Sequence, residues 1–144
     1  MNTMRWQDSL IGIDWNALSE LYRIAPLGEK SPEDLKLCFT NSMFRCFVFD
    51  QELLVGSGRA IADGIDCSYI CDVAVHPGYQ GRGLGKEIIG RLRDASASHR
   101  KIILYANPGK EGFYEKLGFL PMKTAMAIFR NRDHAISTGL VEEP

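Results

Sequence analysis

The chain has 144 residues, 45% hydrophobic and 24% charged, which fits one globular domain with a sizeable core. Seventeen Lys+Arg against eighteen Asp+Glu leave a net charge of -1, so the broad basic footprint of a nucleic-acid or anionic-membrane binder is missing. No apolar run approaches the roughly 20 residues of a membrane span, and Met1 to Asp8, with Arg5 as the one basic residue, lacks a secretory hydrophobic core. These features predict a cytoplasmic protein with no nucleic-acid or membrane partner. Without repeats or linkers, residues 1–144 read as a single domain whose polar tail, 131–144, is poorly ordered.

Of the four cysteines, Cys38, Cys46, Cys67 and Cys71, only the last two are close enough for a local metal clip. His76, His99 and His134 supply no matching ligand pair, so no metal site is expected. Free cysteines in apolar surroundings fit a reducing compartment.

The N-terminal third reads as helical. Asp14 can cap a segment whose Trp15, Leu18, Leu21 and Tyr22 share a face, with Pro26 and Gly28 ending it. A second helix starts with Ser31 at the cap, Pro32 at the first position, and Glu33 and Asp34 in the first turn. Strand-like runs follow, 44–49 and 53–61, joined by the polar turn Asp50-Gln51-Glu52 as an antiparallel meander. Residues 69–75 are nearly all apolar, as in a central strand covered on both faces.

Next comes a glycine-rich stretch, Gly78 to Gly85, then Leu84, Ile88, Leu92 and Ala95 at helical spacing to about Ala97. Lys101 to Tyr105 forms a short strand, Asn107-Pro108 opens a helix that Gly118 can close, and Phe119 to Phe129 supplies terminal strand material. The order implies two parallel strands joined by a crossover helix inside an otherwise antiparallel sheet.

Gly81, Gly83 and Gly85, alternating just before a helix, let the backbone approach a ligand and aim several N–H groups at one point. Arg82 and Lys86 add positive charge at the same helix end, a combination suited to a diphosphate. Two familiar phosphate loops fail here. A Walker loop would need Gly at Gln80 and a hydroxyl residue at Glu87, and a Rossmann fingerprint would need Gly at Ile88.

The segment Gln80-Gly81-Arg82-Gly83-Leu84-Gly85 resembles the pyrophosphate loop of the GNAT superfamily of acyl-CoA-dependent N-acyltransferases, whose pattern is [QR]-x-x-G-x-[GA]. The preceding Asp72-Val73-Ala74-Val75 and His76-Pro77-Gly78-Tyr79 also look like the family's, as does the downstream stretch Gly112-Phe113-Tyr114-Glu115-Lys116-Leu117-Gly118-Phe119 after Ala106-Asn107. The match covers roughly residues 66 to 129 and, within the superfamily, looks most like bacterial members related to aralkylamine N-acetyltransferases. It implies an α/β (α+β) fold: a mixed, mostly antiparallel twisted sheet with a central splayed parallel strand pair and about four flanking helices. Homodimers are common in the family, and the terminal strand material could add to a partner's sheet.

The resemblance also implies that acetyl-CoA lies between the splayed strands, its pantetheine pairing with backbone of Val73, Ala74 and Val75. Its diphosphate would rest on Gln80, Gly81, Arg82, Gly83, Leu84, Gly85 and Lys86. Asn107 would contact the pantetheine or simply cap the following helix. Tyr114 sits where family members often carry a tyrosine near the thioester sulfur, there to protonate the departing thiolate; otherwise it is a core aromatic. Val73 is the candidate oxyanion donor.

Asp72 is the only charge between Tyr69 and Val75. Strand alternation puts it with Ile70 and Ala74, opposite Cys71. Desolvation would suit it to taking a proton from, or pairing with, an ammonium substrate, and a structural carboxylate satisfied by a cation is the equal alternative. Glu29, Glu33 and Asp34 could attract a cationic acceptor or be solvated helix-start charges. Trp6, Trp15 and Tyr22 could line a pocket, but core is favoured because Trp15 and Tyr22 fall on the apolar helix stripe. The expected reaction is acetyl transfer to a primary amine of a small molecule by direct attack in a ternary complex, with no metal. The alternatives are a non-catalytic CoA-binding sensor and an acetyltransferase of protein amines.

Overall fold

The computed structural model describes residues 3–144, in two compact units that divide between Leu104 and Tyr105. In the first unit, Asp14 caps helix α1 (Trp15–Ile24), accepting from the N–H groups of Asn16 and Ala17. Ser31 caps α2 (Pro32–Thr40) by accepting from the Asp34 N–H at 3.1 Å. Each cap satisfies donors that the first helical turn leaves unpaired.

Five strands follow the order β1 (Arg5–Gln7), β2 (Phe44–Asp50), β3 (Leu53–Ala62), β4 (Cys67–Val75), β5 (Lys101–Ile103) in one sheet. Neighbours from β1 to β4 pair antiparallel, and β4 and β5 pair parallel. The crossover between β4 and β5 runs through a 3-10 turn (Pro77–Tyr79) and helix α3 (Leu84–Ala95). The class of sheet matches the sequence reading, with two differences. Trp6 lies on β1, a strand that precedes the two helices of the N-terminal third. The parallel pair stands at the edge of the described sheet, not at its centre, because β5 has no partner beyond β4.

The two faces are covered differently. On one, Leu18, Leu21 and Tyr22 of α1 and Leu35 and Phe39 of α2 join Phe47 and Ala74 in a buried cluster. Phe39 and Phe47 stack at 5.4 Å between centroids, and Trp15 meets Phe39 at 6.1 Å. Fully burying a large apolar side chain stabilises the fold by about 1.5–3 kcal/mol; Tyr22 is core, and Trp15 packs against it partly buried. On the other face, α3 packs over Gly56 and Gly58 of β3. A Cβ at Gly58 would stand 2.8 Å from Ile88 Cγ2, so the helix sits closer than any side chain there would allow.

The β3–β4 turn is organised by Asp63, whose Oδ1 accepts from the N–H groups of Ile65, Asp66 and Cys67. His99 Nε2 accepts from the Gly64 N–H at 2.9 Å. Ser68 and Ser96 share a buried hydrogen bond of 2.7 Å that ties β4 to the end of α3.

In the second unit, a turn in which the Lys110 N–H donates to the Asn107 carbonyl leads into α4 (Glu111–Glu115). Gly118, at φ +97°, ends it, and the Phe119 N–H returns to the Tyr114 carbonyl. The strand expected over Phe119–Phe129 does not form among the described residues. The apolar set at alternate positions, Leu120, Met122, Met126 and Ile128, is exposed. No ladder partner pairs with it, and Pro121 cannot donate to one. The polar tail carries a short helix, α5 (Arg132–Ser137), capped by Asn131 and resting on buried Ala135.

Candidate functional site

The glycine-rich loop opens α3 as a cradle for an anion. Gly81 and Gly83 have φ of +79° and +81°, and nothing lies within 4 Å of where a Cβ would stand. Conformation rather than space therefore requires glycine at these positions. Gly83 is the N-cap and brings no side chain to the helix end, so the N–H groups of Leu84, Gly85 and Lys86 have no intrahelical partner. They present the positive end of the helix dipole, with Gln80, Arg82 and Lys86 exposed around them and Leu84 buried beneath. Glu87, the one acid in the first turn, is occupied by Arg91 at 2.8 Å.

The loop is braced by residues that sequence reading did not single out. The Tyr79 hydroxyl donates to Asp50 Oδ2 at 2.5 Å, and the Arg82 guanidinium stands 4.8 Å from the centre of the Tyr79 ring. That hydrogen bond also raises the Tyr79 hydroxyl above its usual pKa. His76 Nδ1 accepts from the Gly78 N–H and fixes the preceding turn.

β4 and β5 pair only over Cys67 to Tyr69 opposite Lys101 to Ile103. β5 ends at Ile103, so Val73, Ala74 and Val75 have no β5 partner. On its β3 side, β4 is bulged. Arg59 pairs with Cys71 and Ser57 with Ala74, so Asp72 and Val73 together face Gly58. Asp72 takes φ +56°, a left-handed conformation that Asp tolerates better than most residues. The buried Tyr22 hydroxyl donates to the Asp72 carbonyl at 2.5 Å, fastening α1 to the bulge.

The bulge corrects the expected alternation. Cys71 is not turned away from Asp72: it lies across from Arg59, and Arg59 Nε donates to Asp72 Oδ2 at 2.8 Å. Lys30 Nζ is 3.8 Å from Asp72 Oδ1, and Arg59 Nη1 donates to Ser42 Oγ at 3.2 Å. Burial pushes the Cys71 thiol up to about 11 and, together with the Asp72 charge, lifts the Tyr22 hydroxyl well above its usual value. Ser57, on the same strand as Arg59, is fully buried, and its Oγ has no hydrogen-bond partner among the described residues.

The remaining sequence candidates are placed as follows. Glu29, Glu33 and Asp34 are exposed around the start of α2. Trp6 lies under the Arg91 guanidinium at 4.1 Å. In the second unit, Asn107 is exposed in its turn and is not the cap of α4, a position held by Lys110. Tyr114 meets Phe113 and Phe119 edge-on, at 5.1 and 6.2 Å, and its partial burial raises its pKa. Among the described residues, no three His, Cys, Asp or Glu side chains converge as metal ligands, and no helix is long and apolar enough to cross a membrane.

A glycine-rich loop at the start of a crossover helix, beside a bulged strand of a mixed sheet, defines the class of α/β protein. The chain belongs to the GNAT acetyltransferase family, whose profile matches residues 13–119. It is 31% identical to a chloroplastic serotonin N-acetyltransferase 2 of Oryza sativa, over 91% of this chain and 70% of that protein. The chain spans 40% and 63% of the length of the first two curated relatives it matches, both uncharacterized N-acetyltransferases. Among solved structures, a GNAT family acetyltransferase of Streptococcus pneumoniae superposes with a TM-score of 0.75 at 23% identity, covering 92% of this chain and 99% of that one. A Clostridium acetobutylicum acetyltransferase solved with acetyl-CoA gives 0.66 at 16% identity, covering 88% and 96%.

Proposed function

We propose that the protein transfers the acetyl group of acetyl-CoA to a primary amine of a small molecule, by direct attack in a ternary complex. The observation that carries this reading is the exposed cradle of Gln80 to Lys86 at the start of α3, next to the unpaired run of β4. Its free N–H donors, two left-handed glycines and two cations suit the diphosphate of CoA. Val73, Ala74 and Val75 would pair with the pantetheine arm. Family membership and the relatives' names support the choice of cofactor and acceptor class.

In this reading, the amine lone pair attacks the thioester carbonyl carbon. A C–N bond forms, the C–S bond breaks, and the sulfur leaves with the electron pair and takes up a proton. The Val73 N–H stabilises the oxyanion and Tyr114, kept protonated, supplies the proton to sulfur. Of the two roles open to Asp72, its contacts favour the structural one, because Arg59 and Lys30 already engage the carboxylate. Asn107, which does not cap α4, would contact the pantetheine.

The test is thiol release from acetyl-CoA across aralkylamines, amino acids, polyamines and lysine peptides, with Tyr114→Phe beside the wild type. One amine class should exceed hydrolysis, and Tyr114→Phe should lower kcat by roughly a hundredfold. A flat panel in a protein that binds acetyl-CoA would favour the non-catalytic module, and an unchanged Tyr114→Phe rate would remove the proposed acid.

A further inference from the structure

The charges around the bulge bear on which amine is taken. Arg59 and Lys30 both reach the Asp72 carboxylate, at 2.8 and 3.8 Å. Cys71 and Cys38 also act electrostatically on Arg59, and the charges of Asp72 and Arg59 act on Tyr22 and Cys71. Burial keeps the Cys71 thiol and the Tyr22 phenol in their neutral forms at physiological pH. Two cations therefore face one carboxylate, and the cluster carries an excess positive charge. The acids foreseen from sequence as a lure for cations do not offset it: Glu29, Glu33 and Asp34 are exposed and make no ion pair with Arg59 or Lys30.

The two cations are not equivalent. The Arg59 side chain is 13% exposed and fixed by Asp72 and Ser42. Lys30 is 33% exposed, and its ammonium lies beyond hydrogen-bonding distance of Asp72, so its donors are available to a ligand. Its backbone is anchored, because Ser19 Oγ donates to the Lys30 carbonyl at 2.5 Å. A second hydroxyl in the same region, Ser57 Oγ, is buried beside the Tyr22 hydroxyl without a well-formed hydrogen bond of its own. An unbalanced positive cluster repels an acceptor bearing extra ammonium groups and attracts one bearing an anion beside its amine. The same field favours the neutral, nucleophilic form of that amine.

We propose that the acceptor is an amino carboxylate, such as an α-amino acid, whose carboxylate is bound by Lys30 while Arg59, braced by Asp72, supplies the surrounding positive field. This rests on the transferase reading above. The products are the N-acetylated amino acid and the CoA thiol, the proton lost by nitrogen balancing the one gained by sulfur.

The experiment compares matched pairs that differ only in the carboxylate: tryptophan with tryptamine, phenylalanine with phenethylamine, lysine with 1,5-diaminopentane. Each is assayed by thiol release from acetyl-CoA. The carboxylate-bearing member should be favoured by about tenfold or more in kcat/KM, the scale of one charge-assisted contact. Lys30→Gln should bring the ratio towards one, and Lys30→Glu should invert it, a change that a purely structural lysine would not produce. Decarboxylated members that are equal or better across the pairs would overturn the proposal, as would a ratio that Lys30→Gln leaves unmoved. No thiol release from any member, in protein that still shows a thermal shift with acetyl-CoA, would instead bring down the transferase reading and this inference with it.

Discussion

Replacing Tyr22 by Phe removes a single atom from the fully buried ring that joins α1 to the bulge. The ring remains, so its packing with Leu18, Phe39 and Phe47 is retained and no cavity opens. What disappears is the 2.5 Å donation to the partly buried Asp72 carbonyl, and such an acceptor left without its donor costs about 1–3 kcal/mol. The lost bond also releases a backbone that holds Asp72 at φ +56°, a conformation costing a non-glycine residue about 1–2 kcal/mol. For a chain of this length each kcal/mol moves the melting temperature by about 4 °C, so Tyr22→Phe should melt roughly 4–12 °C lower. Ser57 Oγ, beside the Tyr22 hydroxyl, can partly replace the donor, so Tyr22→Phe combined with Ser57→Ala should fall further than the single variants add up to. Thermal melts followed by circular dichroism read both effects. Melting within about 1 °C of the wild type in both the single and the double variant would refute the idea that this bond holds the bulge.

Three further expectations follow from packing, backbone conformation and charge. Gly58→Ala places a Cβ 2.8 Å from Ile88 Cγ2 and 3.0 Å from Leu92 Cδ1; overpacking of this kind costs about 1–3 kcal/mol, visible as a lower urea midpoint at unchanged slope, and an unchanged midpoint would show that α3 has room to move. Gly83→Ala meets no neighbour within 4 Å but must hold φ +81°, so calorimetry should show acetyl-CoA bound roughly tenfold more weakly, and unaltered affinity would mean the left-handed turn is not needed for binding. Asp63 is held down to about 2 chiefly by the Ile65 and Asp66 N–H groups. Because its folded pKa is depressed, its stabilisation is complete above the unfolded value of 3.8 and is lost as the pH falls towards 2. Asp63→Ala should therefore melt below the wild type at pH 6, with the gap closing by pH 2, and a gap independent of pH would count against the charged turn.

Much of this was written in local signals. Asp14 and Ser31 announced their helices through cap chemistry, and Gln80 to Lys86 announced a glycine turn at the start of α3 through glycine spacing. The bulge was harder to read, because an extra residue on one strand leaves the apolar run intact and shows only through pairing with Gly58. The one clue was an Asp, among the few side chains that tolerate the left-handed region, inside an apolar strand. Arg59 and Lys30 lie 13 and 42 positions before Asp72 in the sequence, so neither proximity nor periodicity brings them to it; only the β3–β4 register and the end of α1 do. The bracing of Arg82 through Tyr79 to Asp50 is likewise a contact between distant loops. Phe119 to Phe129 misled in the opposite sense, because an alternating apolar pattern states what a strand would bury but not whether a neighbour exists to pair with it.

Gly56 and Gly58 do more than admit a helix. They set how deeply α3 sinks onto β3, and α3 carries the glycine-rich loop at its first turn while the bulge lies on β4 beside it. On the proposed reading the sheet-to-helix gap would act as a ruler between the two ends of one extended ligand, with the phosphates held at one mark and the reactive carbon falling at the other. A methyl group added at Gly58, far from any ligand atom, would then shift the reaction out of register.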